Sequence, residues 1–515
     1  MLARHAFLAT SLLLGLTAAA SHSQFGVDPV MVAKIREEGL QHSQVMDRES
    51  YMTDVLGARL TVSEDMKRAQ TWVKGEMERI GLVNVTVEPY TDWGVTWDNE
   101  YVSLHLLEPD YQPMVGYPIA YTSSTKGKEV AQAVIVDIQS RAEMEKYRGT
   151  LKGKAILVTP PAPIDLAPLT NGVPRRTDDD LRKIVETVIK PPAAVTARTV
   201  RNPDLVSAVE KLAFYKSEGV VAVLQCESGW LGAVRGYARP GAGADHWSRE
   251  GALASPVIVA VTPEHYNRMY RILKRDIPVK IEIEVRNRIG DKVEPAYNIT
   301  GDIPGSDLKD QVVMIGAHFD TWHASPNATD NTSGVAVALE AARILHAVGA
   351  KPRRTIRVAL WSGEEEGLIG SRAYVLKHFG NPKDPKVGVK PDYEKFSAYF
   401  NQDYGAGQYR GIYLQGNEAA RAMLTAWMEP FRDLGMTVVS NQSLGSTDHV
   451  AFDDIGLPGF QFLQDRVPAE GGHTNLDFFD TVQAPDLMKN STIMASFAYH
   501  AAISDERVPR KTLKF

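Results

Sequence analysis

From Ala296 onward the chain alternates two patterns. Runs that are apolar at nearly every position ("VVMIGAHFD", "TIRVALWSG", "GFQFL") are separated by longer segments whose apolar residues recur at helical spacing ("GVAVALEAARILHAVG", "EAARAMLTAWMEPFRDLG"). A run that is apolar on both sides belongs to a strand covered on both faces, the usual state of a parallel strand. The alternation predicts an α/β fold, a mostly parallel mixed sheet with helices on both faces. In such sheets ligand sites gather where strands end.

The first part of the chain is organised differently. "DPVMVAKIREEGLQHSQVMDRESYMTDVLG" and "SEDMKRAQTWVKGEMERIG" read as amphipathic helices, the second started by Ser63, Glu64 and Asp65 and stopped at Gly81. "VNVTVEPY" and "EYVSLHLLEP" alternate as strands do. Between about Tyr111 and Asn287, short β runs alternate with Pro-rich loops and one helix, in "PDLVSAVEKLAFYKSEG". This predicts a β-rich domain inserted at 111–287, with 24–110 and 288–515 forming the main domain. Within the insertion, "GWLGAVRGYARPGAGADHW" reads equally as a lid or as an ordinary surface loop.

At the amino end, Arg4 and His5 precede an apolar run from Ala6 to Leu16 and then Ala18, Ala19 and Ala20. This is the layout of a signal peptide over 1–23, with cleavage between Ala20 and Gln24, and it predicts a secreted or periplasmic protein. No other run approaches the ~18 apolar residues of a membrane span, so no membrane anchor is expected.

Composition narrows the chemistry. A chain of 515 residues is too long for one ordinary core. A formal charge of -6 argues against nucleic acid as a partner. With Cys226 as the single cysteine, neither an intrachain disulfide nor a cysteine metal site can form. Any metal must be held by His, Asp and Glu.

Such residues stand at the strand ends. His318 closes one apolar run, with Asp320 two residues on, a spacing that lets a carboxylate fix the imidazole tautomer. Asp330 lies at the start of the next helix, where an N-cap is the plain alternative. Glu364, Glu365 and Glu366 follow "TIRVALWSG". Asp403 follows "FSAYFNQ", where a turn residue before Gly405 is the alternative. His473 lies in a Gly-rich loop, with Asp477 after it. Two histidines and three carboxylates, one of them shared, supply three ligands to each of two zinc ions and leave room for water or substrate. A free carboxylate would then serve as proton acceptor. One glutamate binds metal, its neighbour is the base and the third is spare.

His318-x-Asp320, Asp330-Asn331, Glu364-Glu365-x-Gly367-x-x-Gly370-Ser371, Asn401-x-Asp403 and His473-Thr474-x-x-Asp477 together resemble the ordered signature of the di-zinc aminopeptidase family that includes plasma glutamate carboxypeptidase. The resemblance is strong from about Ala296 to His500, and the inserted segment resembles the protease-associated domain of several members. It implies the zinc exopeptidase fold, with one zinc on His318, Asp330 and Asp403 and a second on Asp330, Glu365 and His473. It implies Glu364 as general base toward a di-zinc-bound hydroxide, Asp320 as the carboxylate behind His318, and Glu366 as a solvated surface residue. Asp448 and His449 would line the site without ligating metal. The linker "TWHASPNAT" is nearer the simple aminopeptidase pattern than the carboxypeptidase one.

The expected activity is exopeptidase hydrolysis of peptides or dipeptides, and assembly as a homodimer is left open. A zinc glutaminyl cyclase of the same fold is the alternative enzyme; retention of Asp403 with the Glu364-Glu365 pair favours hydrolysis. A non-catalytic binding protein on this scaffold would show lost ligands, and none is lost.

Overall fold

The computed structural model describes residues 25–166, 175–187, 204–227, 229–467 and 472–512. The predicted signal segment lies outside them. Among the described residues, no helix is long and apolar enough to cross a membrane.

The strongly apolar runs form the centre of an eight-stranded sheet. Its order is Val83–Gly94, Glu294–Ile303, Arg354–Trp361, Leu308–His318, Phe396–Asn401, Gly459–Gln464, Tyr409–Tyr413 and Val438–Ser440. The four strands from Arg354–Trp361 to Gly459–Gln464 are mutually parallel, and antiparallel pairings flank them on both sides. The predicted mixed sheet is therefore present.

One face carries the helices Ser333–Ala347 and Ala484–Ile503, whose Val335, Leu339, Ile493 and Phe497 are buried against Val313, Ile315 and Phe400. Ser333–Ala347 is covered in turn by the helices Pro29–Gln41 and Val45–Ser50, so nearly its whole circumference is buried. Its one buried acid, Glu340, is paired with Arg48 at 2.7 Å and Arg343 at 2.8 Å. The opposite face is covered by Ile369–His378 and His449–Asp453. The predicted start at Ser63 is realised: its side chain accepts the Met66 amide at the head of Glu64–Arg79.

A second eight-stranded sheet follows the order Gln112–Pro113, Trp97–Glu108, Val279–Ile289, Glu129–Ile135, Ala155–Leu157, Ala222–Gln225, Ile258–Val261 and Gly116–Pro118. It has apolar clusters of its own on both faces. Trp97–Glu108 pairs along its length with Val279–Ile289, while the strands just outside them, Val83–Gly94 and Glu294–Ile303, pair in the first sheet. Alternation marks a strand but not its partner, and this partner is far along the chain. The two sheets meet over Trp93, Trp97, Tyr121, Trp247 and Trp322, with Trp93 and Trp247 stacked at 5.3 Å.

Candidate metal centre

Strand register assembles the first part of the site. His318, the last residue of its strand, lies opposite Trp361, and Gly316 lies opposite Asn401. Three parallel strands thus end at nearly one level. The glutamates three to five residues after Trp361 and Asp403 just after Asn401 therefore converge on His318.

Asp330 belongs to the turn Ala328–Thr332 and has an extended backbone, φ -139° and ψ 86°. It is not an N-cap: the helix begins at Ser333, and the side chain that accepts its Gly334 amide is that of Asn331, at 3.0 Å. Its carboxylate lies instead between two imidazoles: Oδ1 is 3.2 Å from His318 Nε2, and Oδ2 is 3.1 Å from His473 Nε2. Asp403 Oδ1 is 3.6 Å from His318 Nε2, and Glu365 Oε2 is 2.9 Å from His473 Nε2. Two three-residue groups result, sharing Asp330. Asp403 also accepts the Tyr404 amide at 2.7 Å, so its turn role and its site position coexist.

The Asp330 turn is held by Asp477, a fully buried carboxylate that accepts the amides of Thr329 at 2.9 Å and Asp330 at 3.2 Å. His473 can come so close because Gly472 precedes it: a Cβ at 472 would lie 2.6 Å from Asp330 Oδ2.

Asp320 differs from expectation in detail. The group at bonding distance from His318 Nδ1 is its main-chain carbonyl, 2.9 Å away, which accepts the ring N–H; its carboxylate is 3.8 Å away. That carboxylate accepts the Glu365 amide at 3.1 Å and so holds the Glu364-Glu365 turn. Glu366 is not a solvated surface residue. One carboxylate oxygen accepts the Thr61 hydroxyl at 3.0 Å and the other is buried without a hydrogen bond. Burial, then neighbouring Asp320 and Glu365, push its pKa well up.

Asp448 and His449 are fully buried near the site, and among the described residues neither forms an ion pair. Burial lowers the His449 pKa to about 4, and its Nε2–H donates to the Leu444 carbonyl at 3.0 Å. The segment Gly57–Thr61 also reaches the site and carried no motif. The buried Arg59 donates to the Phe319 carbonyl at 2.8 Å and to Thr332 Oγ1 at 2.7 Å, tying the turns after two site elements.

Charge at the centre is unbalanced. Asp320, Asp330, Glu364, Glu365, Asp403 and Asp448 face two imidazoles. Burial raises Glu364 well above the usual carboxylate range against the opposing charge of His318, with Asp403, Asp448 and Glu365 adding to the rise. Glu365 goes up to about 7, again chiefly by burial. Burial would lower both histidines, but the carboxylates outweigh it: His318 is held well up by Glu364 and Asp403, and His473 is raised to about 12 by Glu365 and Asp330. A buried set this rich in carboxylate lacks positive charge. His318 Nε2 and Glu365 Oε1 are buried without a hydrogen bond, and His318, Asp330 and Glu365 offer ligand atoms within 4.8 Å of one another. Imidazole and carboxylate with one shared carboxylate suit divalent zinc, so the residues present fit a two-metal site.

Known proteins resemble this chain in sequence and in fold. Residues 298–498 match the model of peptidase family M28. Carboxypeptidase Q of Xenopus laevis is 23% identical over 474 residues, which cover 92% of this chain and 88% of that one. Among solved structures, a peptidase M28 precursor from Shewanella amazonensis shares the fold with a TM-score of 0.66 at 21% identity, covering 94% of this chain and 99% of that one. A zinc aminopeptidase from Bacillus subtilis does so with a TM-score of 0.56 at 17% identity, covering 89% and 94%.

Proposed function

We propose that this chain, whose residues 298–498 match the model of peptidase family M28, is an exported two-zinc exopeptidase acting on the ends of peptides or on dipeptides. The observation that carries the reading is the Asp330 carboxylate, with one oxygen 3.2 Å from His318 and the other 3.1 Å from His473. His318, Asp330 and Asp403 would hold one ion, and Asp330, Glu365 and His473 the other. Zinc in such a pair polarises a carbonyl oxygen and makes water acidic enough to lose a proton near neutral pH.

Glu364 is the proton carrier in this reading. It adjoins a proposed ligand without being one, and its burial raises its pKa toward the range in which a carboxyl group can both accept and return a proton. It takes a proton from the attacking water and delivers it to the departing amine nitrogen. Asp320 keeps Glu364 and Glu365 in register through the Glu365 amide, and Asp477 orients Asp330 through two amides of its turn. The apolar segment Ala6–Leu16 behind Arg4 supports export.

The test combines zinc analysis of the purified protein with a panel of short peptides carrying free or blocked termini. Two zinc ions per chain, and chelator-sensitive cleavage that requires one free terminus, are expected. A single ion with no second gained on titration would overturn the bridged site.

A further inference from the structure

The loop carrying His473 is not held by the main sheet alone. On one side Ser325 Oγ donates to the Thr474 carbonyl at 2.6 Å. On the other side lies the segment Gly232–Gly236 of the inserted unit, and it bonds the loop at four points. The Gly236 amide donates to the His473 carbonyl at 2.7 Å, and the Asn475 amide donates to the Val234 carbonyl at 3.0 Å. The Val234 amide donates to Asn475 Oδ1 at 2.6 Å, and Asn475 Nδ2 donates to the Gly232 carbonyl at 3.1 Å. Arg235 and Thr474 form an antiparallel bridge between them. The fit is close: a Cβ at Gly236 would lie 3.2 Å from Ala324 Cβ and 3.3 Å from Trp322 Cβ, on the loop after His318.

We infer that the inserted unit builds one half of the metal centre without donating a ligand to it, and that Asn475 is the positioning residue through which it seats His473. The inference rests on the reading of His473 as a metal ligand. The physical reason is local. The His473 side chain is 40% exposed, so packing does little to fix it, and its backbone has φ 61°, a conformation that a non-glycine residue keeps only when its surroundings impose it. Asn475 is 8% exposed and uses both ends of its amide on main-chain groups of the other unit, which fixes the loop in position and in tilt. Glu365 and Asp330, the other members of this half, are held from the main sheet. Loosening the contact therefore moves one ligand and leaves the rest.

The experiment uses the full chain and zinc alone, with bound zinc measured after dialysis against graded chelator. Asn475→Ala is expected to lower the affinity for one ion 10- to 100-fold, the usual effect of removing a group that orients a ligand, and to leave the other unchanged. Asn475→Asp keeps an acceptor for the Val234 amide and is expected to recover part of that loss. Gly236→Val presses on the same contact from the inserted unit and is expected to produce the same selective loss, so a folding defect in one variant does not decide the matter. His473→Ala separates the two readings. If it loses one ion while Asn475→Ala and Gly236→Val hold both with unaltered affinity, the positioning inference is wrong. If His473→Ala itself holds both ions, the ligand assignment is what fails.

Discussion

His318 and His473 approach one carboxylate from opposite sides at nearly equal distances, 3.2 and 3.1 Å, yet the protein holds them differently. His318 is 1% exposed, ends a central strand, and has its second ring nitrogen bonded to the Asp320 carbonyl. His473 is 40% exposed and rides on a loop wedged between two units of the chain. A strand end in a packed sheet fixes its side chain through the core. A loop residue needs partners brought from elsewhere, and here they come from a second sheet. One half of the centre is thus a property of the main sheet and the other a property of the assembled molecule.

The largest expected effect lies in neither half. Glu364→Gln should keep both zinc ions and lose ~10²–10⁴-fold in turnover, because the proton acceptor is gone while the ligands remain. Steady-state kinetics beside metal analysis would show this, and full activity in the variant would remove Glu364 from the mechanism.

Next come the two histidines, whose replacement tests the contrast directly. In metal-free protein, His318→Ala should cost about 1–3 kcal/mol of unfolding free energy, since it leaves buried carboxylates without their partner. His473→Ala also takes a partner from the buried Glu365, but at a half-exposed loop that water can enter, and should cost less than His318→Ala. Equal losses in denaturant titrations would mean that the two halves are not held differently.

Zinc uptake sharpens the comparison by its pH dependence. Without metal, carboxylates hold both imidazoles protonated, His473 up to about 12, whereas a ligand nitrogen must be free of its proton. Binding therefore releases protons, and affinity should fall as pH falls, by about tenfold per pH unit for each proton displaced. Titrations in buffers of different ionisation enthalpy count those protons; a pH-independent affinity would contradict the charge balance described. The smallest effect is expected at Glu366. Glu366→Gln keeps an oxygen for the Thr61 hydroxyl, and burial already disfavours the charged form, so stability should change by less than ~1 kcal/mol.

The strand-end residues were legible because each apolar run is short, continuous and followed at once by a polar group. That pattern marks both the strand and the place where its ligand-bearing turn begins. His318, Glu364, Glu365 and Asp403 follow such runs closely; Asp330 and His473 lie in loops, and the resemblance to the di-zinc family is what marked them. Glu366 was misread, since a position free to vary in a motif need not face water; it turns toward Thr61, a residue some 300 positions earlier. Asp320 was placed correctly but its contact was not, because main-chain and side-chain oxygens of one residue cannot be told apart by spacing. Asn475 gave no signal at all. Its importance depends on the backbone of Gly232 and Val234, and a main-chain partner leaves no mark in the composition of either segment.

The chain leaves the main sheet after Gly94 and returns at Glu294, and these two residues are paired across adjacent strands. Between the sheets, the Gly290 amide bonds the Thr96 carbonyl at 2.9 Å, closing the two crossings against each other. In kinetic terms the edge of the main sheet is a hairpin whose turn is an entire folded unit. Joining its strands while that unit is unfolded would carry the loop-closure entropy of a very long disordered segment. Once the second sheet has formed, Trp97 lies opposite Ile289 and the two ends are delivered side by side. The inserted sheet should therefore fold first and template the edge of the other, with hydrogen-exchange protection arising at Val279–Ile289 before it arises at Val83–Gly94.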